Sequence, residues 1–370
     1  MSETARPGDE DPADDSFVPS LGVVPATVAM AAVLVPVRDG VGDPFVGSAA
    51  AFAVVAVVAF LARRHGALGP VPGGLAAAGS SLLVVLLSGY ALNQGTSAST
   101  AVPGFGWTIP SLFLAFAAAG VSIGIAAADY AGVSGRGLLR RTQRFSTMAG
   151  LGFVGLLSMA FAAVFLSDLV TVLGSGDSEL DRQLVQYLST AVGLGSIAVA
   201  YLLWRDYGLS YIDLEVPDVR SVLWIGGGLA LIFGALIGIF ALMTVIGVDT
   251  AEHGTTQQVE QNPDLLIVIV PAMLLIVGPF EELLYRNVIQ KSLYETFSRY
   301  GAVVVTSVIF ASVHVAAYAT AGAGEVLASL GVLFGLSLVL GFVYERTDNL
   351  VVPAVVHGCY NAIQMLLLFV

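Results

Sequence analysis

Cysteine occurs once in this 370-residue chain, at Cys359, and lysine once, at Lys291. A single thiol excludes an intramolecular disulfide and any thiolate metal cluster. Fourteen arginines accompany that lysine, but they form no basic patch of the kind that grips nucleic acid. Charge of either sign is scarce at 11%, whereas 56% of residues are apolar and the mean hydropathy is +0.86, which excludes an ordinary soluble domain. No stretch alternates polar and apolar residues as the strands of a membrane barrel do. The first twenty residues lack an apolar run and carry Glu3, Asp9, Glu10, Asp11, Asp14 and Asp15, so they read as a disordered acidic cytoplasmic tail and not as a signal peptide. The net charge of −12 describes an acidic, lysine-poor polar surface, as expected of a halophilic source. A genome rich in G and C accounts for the Arg:Lys ratio but not for the acidity.

What remains is a succession of long Leu, Val, Ala and Gly runs. Windows of about 17–25 apolar residues match a bilayer. They predict eleven helical spans, near 21–37, 46–62, 74–93, 107–128, 146–170, 184–204, 221–248, 265–285, 301–319, 327–344 and 350–370. The fold class is therefore an all-α polytopic membrane protein. Twelve of the fifteen basic residues fall in the connections after the even-numbered spans, and only Arg38 and Arg182 in the others. By the positive-inside rule the N-terminus is expected in the cytoplasm and the C-terminus outside, in a multi-pass cell-membrane protein.

The sharpest break in composition is the acidic, amide-rich stretch 249–264, read as an extracytoplasmic loop. It separates a transmembrane region at 21–248, whose role is not legible, from a region at 265–370 that carries every candidate site. No repeat relates the two, which disfavours an inverted-repeat transporter. Small residues such as Gly226, Gly227 and Gly228 read as close helix packing.

Three polar islands interrupt the last four spans. The first is Gly278-Pro-Phe-Glu-Glu-Leu-Leu-Tyr-Arg286. Carboxylates in hydrocarbon are costly unless paired or facing a polar cavity, so such a cluster reads as a site. Glu282 and Arg286 are four apart and share a helix face, which suits a structural ion pair. Glu281 is rotated by about 100° from Glu282 and is left free to act as a general base. Pro279 loosens the helix beside it. The second island is Phe310-Ala-Ser-Val-His314, and the third holds His357 and Asn361, again four apart, as two donors suited to an oxyanion.

One carboxylate, two histidines and an asparagine make a site that can hydrolyse a peptide bond. Glu281 and His314 would activate water, and His357 and Asn361 would stabilise the oxyanion. The same side chains suit a zinc set of Glu281, His314 and His357, although no H-E-x-x-H is present. E-E-x-x-x-R, F-x-x-x-H and H-x-x-x-N in separate spans resemble the CPBP family, the CAAX prenyl endopeptidase and bacteriocin-processing intramembrane proteases, over roughly residues 265–365. Glu281, Glu282 and Arg286 match its first motif, Phe310 and His314 the second, and His357 and Asn361 the third. The resemblance implies a C-terminal helical bundle and an endopeptidase in a membrane cavity, with the first glutamate and both histidines essential, the family being called metalloprotease. Its expected partners are the lipid bilayer and a membrane-associated peptide or protein. The rival classes are a non-catalytic scaffold or immunity-type protein and a secondary transporter.

One geometric tension follows. At about 1.5 Å per residue, Glu281 would lie roughly 8 Å from the nearest cytoplasmic connection and His357 roughly 12 Å, but His314 roughly 22 Å from Arg299.

Overall fold

A computed structural model describes residues 16–369 apart from 102–103, 105 and 173–177. The acidic residues of the expected tail lie outside the described residues, and the first helix already begins at Phe17. In chain order the helices are α1 (Phe17–Arg38), α2 (Pro44–Arg64), α3 (Pro70–Asn93), α4 (Ser111–Tyr130), α5 (Gly135–Val172), α6 (Glu179–Trp204) and α7 (Val219–Ile246). They continue as α8 (Gly254–Gln261), α9 (Pro263–Leu293), α10 (Arg299–Val313), α11 (Ala323–Thr347) and α12 (Val351–Leu367). Among the described residues nine of these are long and apolar enough to cross a bilayer, while α10 and α12 are apolar but shorter. This is an all-α polytopic membrane protein. The eleven expected spans each correspond to one helix, and α8 is an addition inside the acidic stretch. A short antiparallel hairpin, β1 (Ser99–Ala101) with β2 (Thr108–Pro110), precedes α4.

Packing divides the chain into two compact units, Met1–Thr142 with Gly322–Leu327, and Gln143–Ala321 with Ala328–Val370. The units do not follow the compositional break at 249–264. The physical reason is that α5, α6 and α7 bury their inner faces against the helices that carry the motifs. In the first unit α1–α4 close on alanines such as Ala29, Ala49, Ala53, Ala115 and Ala119. Small side chains let backbones approach where burial of apolar surface gives no advantage over lipid. Leu157, Phe161, Val164 and Phe165 of α5 stay exposed, as lipid-facing residues do.

Helix α9 organises the second unit. It is α-helical at Leu266–Ala272, Gly278–Glu282 and Lys291–Leu293, and widens to π-helix at Met273–Val277 and Leu283–Gln290. Pro271 and Pro279 lack amide hydrogens, so the carbonyls four residues earlier lose their α-helical donors, and the wider first stretch accommodates the loss. Glycines then bring α12 onto α9. A Cβ on Gly278 would lie 2.5 Å from the Ala354 carbonyl oxygen, and one on Gly358 would lie 2.8 Å from the Met273 carbonyl oxygen. The two backbones touch there, which sets His357 beside the glutamates.

The expected span boundaries need two corrections, and the first brings Glu281 close to the depth of His314. Helix α9 does not end near 285 but runs to Leu293, with Arg286, Asn287 and Gln290 buried inside the protein and each hydrogen-bonded there through part of its side chain. Glu281 is therefore twelve residues, about 18 Å, from the end of its helix. Helix α10 stops at Val313, short of 319, and is followed by a 3-10 turn at Val315–Tyr318. His314 thus sits at the tip of a short helix, not in the middle of a long one.

Gly358→Ala is expected to lower stability by about 1–3 kcal/mol, the usual effect of forcing extra volume into a closed contact. Thermal unfolding in detergent measures it, with Gly226→Ala, which has open space around it, as the neutral comparison.

Candidate functional site

Glu282 and Arg286 are both fully buried and form an ion pair, with Arg286 Nε donating to Glu282 Oε2 over 2.9 Å. The second carboxylate oxygen, Oε1, meets His357 Nδ1 at 2.9 Å. Arg286 Nη2 donates to Ser337 Oγ on α11 at 2.9 Å. One buried charge pair thereby joins α9, α11 and α12. Phe310 forms a plate under the group. Its ring lies 4.4 Å from the His314 ring, 6.0 Å from that of His357 and 5.0 Å edge-on to Tyr285, with the Arg286 guanidinium 5.5 Å away over its face.

Glu281 points elsewhere. Its Oε2 lies 3.9 Å from His314 Nε2 and 4.0 Å from His357 Nε2. Among the described residues its carboxylate makes no hydrogen bond, and its side chain is 14% exposed where that of Glu282 is 0%. The local fold decides which imidazole nitrogens face it. At the end of α10 the His314 amide turns to the Ala311 carbonyl, and the Phe310 carbonyl accepts instead from His314 Nδ1 at 2.7 Å. With Nδ1 donating to Phe310, the neutral His314 ring presents a bare Nε2 to Glu281. His357 turns its Nδ1 to Glu282, so its Nε2 also faces Glu281. Asn361 stands one turn beyond His357 on α12, and its amide has no hydrogen bond among the described residues.

The structure therefore brings Glu281, His314 and His357 together and places Glu282, Arg286 and Phe310 around them. The spacing is that of water. A water within ordinary hydrogen-bond distance of Glu281 Oε2 and of both Nε2 atoms fits separations of 3.9 and 4.0 Å. Zinc bound at about 2.0–2.2 Å holds tetrahedral ligands about 3.3 Å apart. Among the described residues no three His, Cys, Asp or Glu stand close enough to hold a metal ion. The arrangement does not fit a bound zinc.

Sequence reasoning missed two contributors. The tie between Glu282 and His357 joins residues 75 apart and leaves no local signature. His253 lies in the stretch expected to be only an acidic loop. It caps α8, its Nδ1 accepting from the Thr255 amide at 3.0 Å, and its ring stands edge-on to Tyr318, 5.1 Å away, in the turn after His314. Burial, and secondarily the charge of His314, push its pKa down to about 4. The only signal was that it is one of four histidines.

The fold and the centre define a class, a multi-pass helical membrane protein with a carboxylate and two imidazoles gathered inside the bundle. Residues 263–363 match the family model described as type II CAAX prenyl endopeptidase Rce1-like, and this segment is a domain of the CPBP, or CAAX protease, family. The likeness carried by the three motifs is shown over nearly the same residues. No curated protein and no solved structure matches the chain.

Two outcomes follow. Arg286→Met leaves Glu282 buried without its counter-charge and is expected to cost about 3–5 kcal/mol, whereas Glu282→Gln combined with Arg286→Met recovers part of that loss. Chemical unfolding of the two variants in detergent reads the difference. For His253 the neutral ring belongs to the folded state, so its contribution is complete above pH 6.5 and is lost as pH falls toward about 4. The protection factor of the Thr255 amide, its exchange relative to the intrinsic rate at each pH, is expected to fall as pH drops across that window, and His253→Asn to remove that fall.

Proposed function

We propose that this protein is an intramembrane endopeptidase that hydrolyses a peptide bond of a membrane-associated peptide or protein. The observation that carries the reading is the division between adjacent carboxylates. Glu282 is consumed by Arg286 and His357, while Glu281 has no hydrogen bond of its own and faces two imidazole nitrogens.

A water held there donates one hydrogen to Glu281 Oε2 and the other to His314 Nε2, which leaves an oxygen lone pair directed at the scissile carbonyl. Glu281 takes the proton as the carbon–oxygen bond forms. The tetrahedral oxyanion is met by Asn361 and by His357 Nε2. Since Nδ1 of His357 is committed to Glu282, that ring donates from Nε2 only as imidazolium, with Glu282 as its counter-ion. Glu281 then returns its proton to the leaving nitrogen, the carbon–nitrogen bond breaks, and the new acid and amine separate. The family's name for its substrates is not transferred, because prenylated tails exist only in hosts that make them. The arginine distribution supports an N-terminus in the cytoplasm and a C-terminus outside.

The test compares protein termini in membranes of cells carrying the wild-type chain or Glu281→Gln at equal abundance. New termini present only with the wild type are expected, as is a fall in kcat of about 10²–10⁴ on the identified substrate. Identical termini would reassign the protein to a non-catalytic role. Dialysis against a chelator is expected to leave cleavage intact. Loss of cleavage that zinc restores would instead make Glu281, His314 and His357 metal ligands.

A further inference from the structure

The three groups of the centre are not equally held. Glu281 and His357 stand inside α9 and α12, whose backbones touch at Gly278 and Gly358. His314 is instead the residue that ends α10, a helix of 15 residues, and helix ends open readily unless something packs on them. The connection that follows His314 has few bonds of its own. The Ala317 amide donates to the His314 carbonyl at 3.0 Å, and the Ala319 amide to the Ala316 carbonyl at 3.4 Å.

What packs on this connection is the stretch leading into α8. The His253 ring stands edge-on to Tyr318 at 5.1 Å, and Thr320 Oγ1 donates to the Glu252 carbonyl at 2.7 Å. A Cβ on Gly254 would lie 3.7 Å from the Ala317 carbonyl oxygen, which is van der Waals contact. Among the described residues, the ring contacts and side-chain hydrogen bonds of Val315–Thr320 are made to Glu252 and His253 alone.

That stretch is itself fixed to the helices of the centre. Ser329 Oγ on α11 donates to the Ala251 carbonyl at 2.9 Å, and Gln183 Nε2 on α6 donates to Gln258 Oε1 at 3.1 Å. Val259 of α8 is fully buried in one apolar cluster with Leu265, Ile269 and Met273 of α9 and with Ala362 and Met365 of α12. Helix α8 is therefore seated on the two helices that bear Glu281 and His357, and the residues leading into it grip the turn that follows His314.

We propose that residues 251–261 are a positioning clamp for His314, in which His253, acting through the ring of Tyr318, holds His314 Nε2 at the distance from Glu281 that one water bridges. That distance is 3.9 Å, and a misplacement of about 1 Å in such a geometry costs about 10²-fold in rate. The consequence for hydrolysis rests on the endopeptidase reading above, whereas the hold on His314 does not.

NMR of the full chain in detergent, labelled with nitrogen-15 at its four histidines, tests this, with the His314 ring signals assigned by their loss in His314→Asn. Wild-type His314 is expected to show one sharp set of signals, that of the ring protonated at Nδ1. In Tyr318→Leu and His253→Ala, each checked for folding by its melting temperature, those signals are expected to broaden or split, and kcat to fall about 10–100-fold at constant KM. Tyr318→Phe, which keeps the ring, is expected to retain both wild-type properties. Thr320→Val, which removes a bond at the exposed edge of the clamp, serves if the other two variants do not fold. Unchanged His314 signals in Tyr318→Leu would overturn the clamp, and an equal loss in Tyr318→Phe would overturn it by making the phenol hydroxyl the working group. Altered signals with unchanged kcat would overturn its part in catalysis. Altered signals in a chain whose wild type cleaves nothing would uphold the clamp and remove the endopeptidase reading.

Discussion

A carboxylate and a guanidinium with no solvent exposure at all have to be answered from inside the protein, and Glu282 with Arg286 sets the terms for everything near them. In low dielectric, the attraction of a buried pair offsets desolvation only when the remaining lone pairs and protons also find partners. Ser337 takes one Arg286 proton and His357 occupies the second Glu282 oxygen. Those partners come from α11 and α12, so the pair fixes three helices at once. Phe310 supplies an apolar plate beneath, and Gly278 with Gly358 permits the approach that makes the His357 contact short. Moving any of these elements away would expose an unanswered charge to hydrocarbon.

Anchoring also comes from residues that precede the family segment. Asp213, in the connection between α6 and α7, accepts from Lys291 at 2.7 Å, from Asn287 at 3.2 Å and from Tyr344 at 2.5 Å, and its carbonyl accepts from the Leu350 amide. The only lysine of the chain is used here, at the end of α9. Lys291 also donates to the Tyr211 carbonyl, and Asn349 donates to that of Glu215. One loop thus holds the end of α9, the end of α11 and the start of α12. The residues just before α12, Asn349 and Leu350, are consequently buried.

The fold was legible because bilayer spans announce themselves by length and apolarity, and each of the eleven runs is a helix. Boundaries failed where polar residues are buried. Arg286, Asn287 and Gln290 look like the start of an aqueous loop, yet every one is enclosed, so the eighth span appeared to stop about two turns early. The pairing of Glu282 with Arg286 was readable from the four-residue spacing, since a helix puts those positions on one face. The bond from Glu282 to His357 was not, because it depends on two glycines letting separate helices meet. His253 was invisible for a different reason. Its importance lies in where the polypeptide returns, and an acidic stretch that reads as a solvated loop gives no sign of folding back onto the turn after His314.

Glu282, Arg286, Gln290 and Tyr294 recur every four residues along α9, and burial alone does not explain so polar a helix. A helix that only had to hold Glu282 in place would carry a leucine at position 290, since apolar side chains of similar volume fill such a space without orphaned atoms. Instead Arg286 Nη1 and Gln290 Oε1 stand unanswered by protein, and leaving such a group unsatisfied costs about 1–3 kcal/mol. Gly341 packs directly against them, since a Cβ there would lie 2.9 Å from Gln290 Oε1 and 3.4 Å from Arg286 Nη1. Arg286 and Gln290 lie on the single helix that also carries both glutamates, and its widened π-helical turn runs from Leu283 to Gln290.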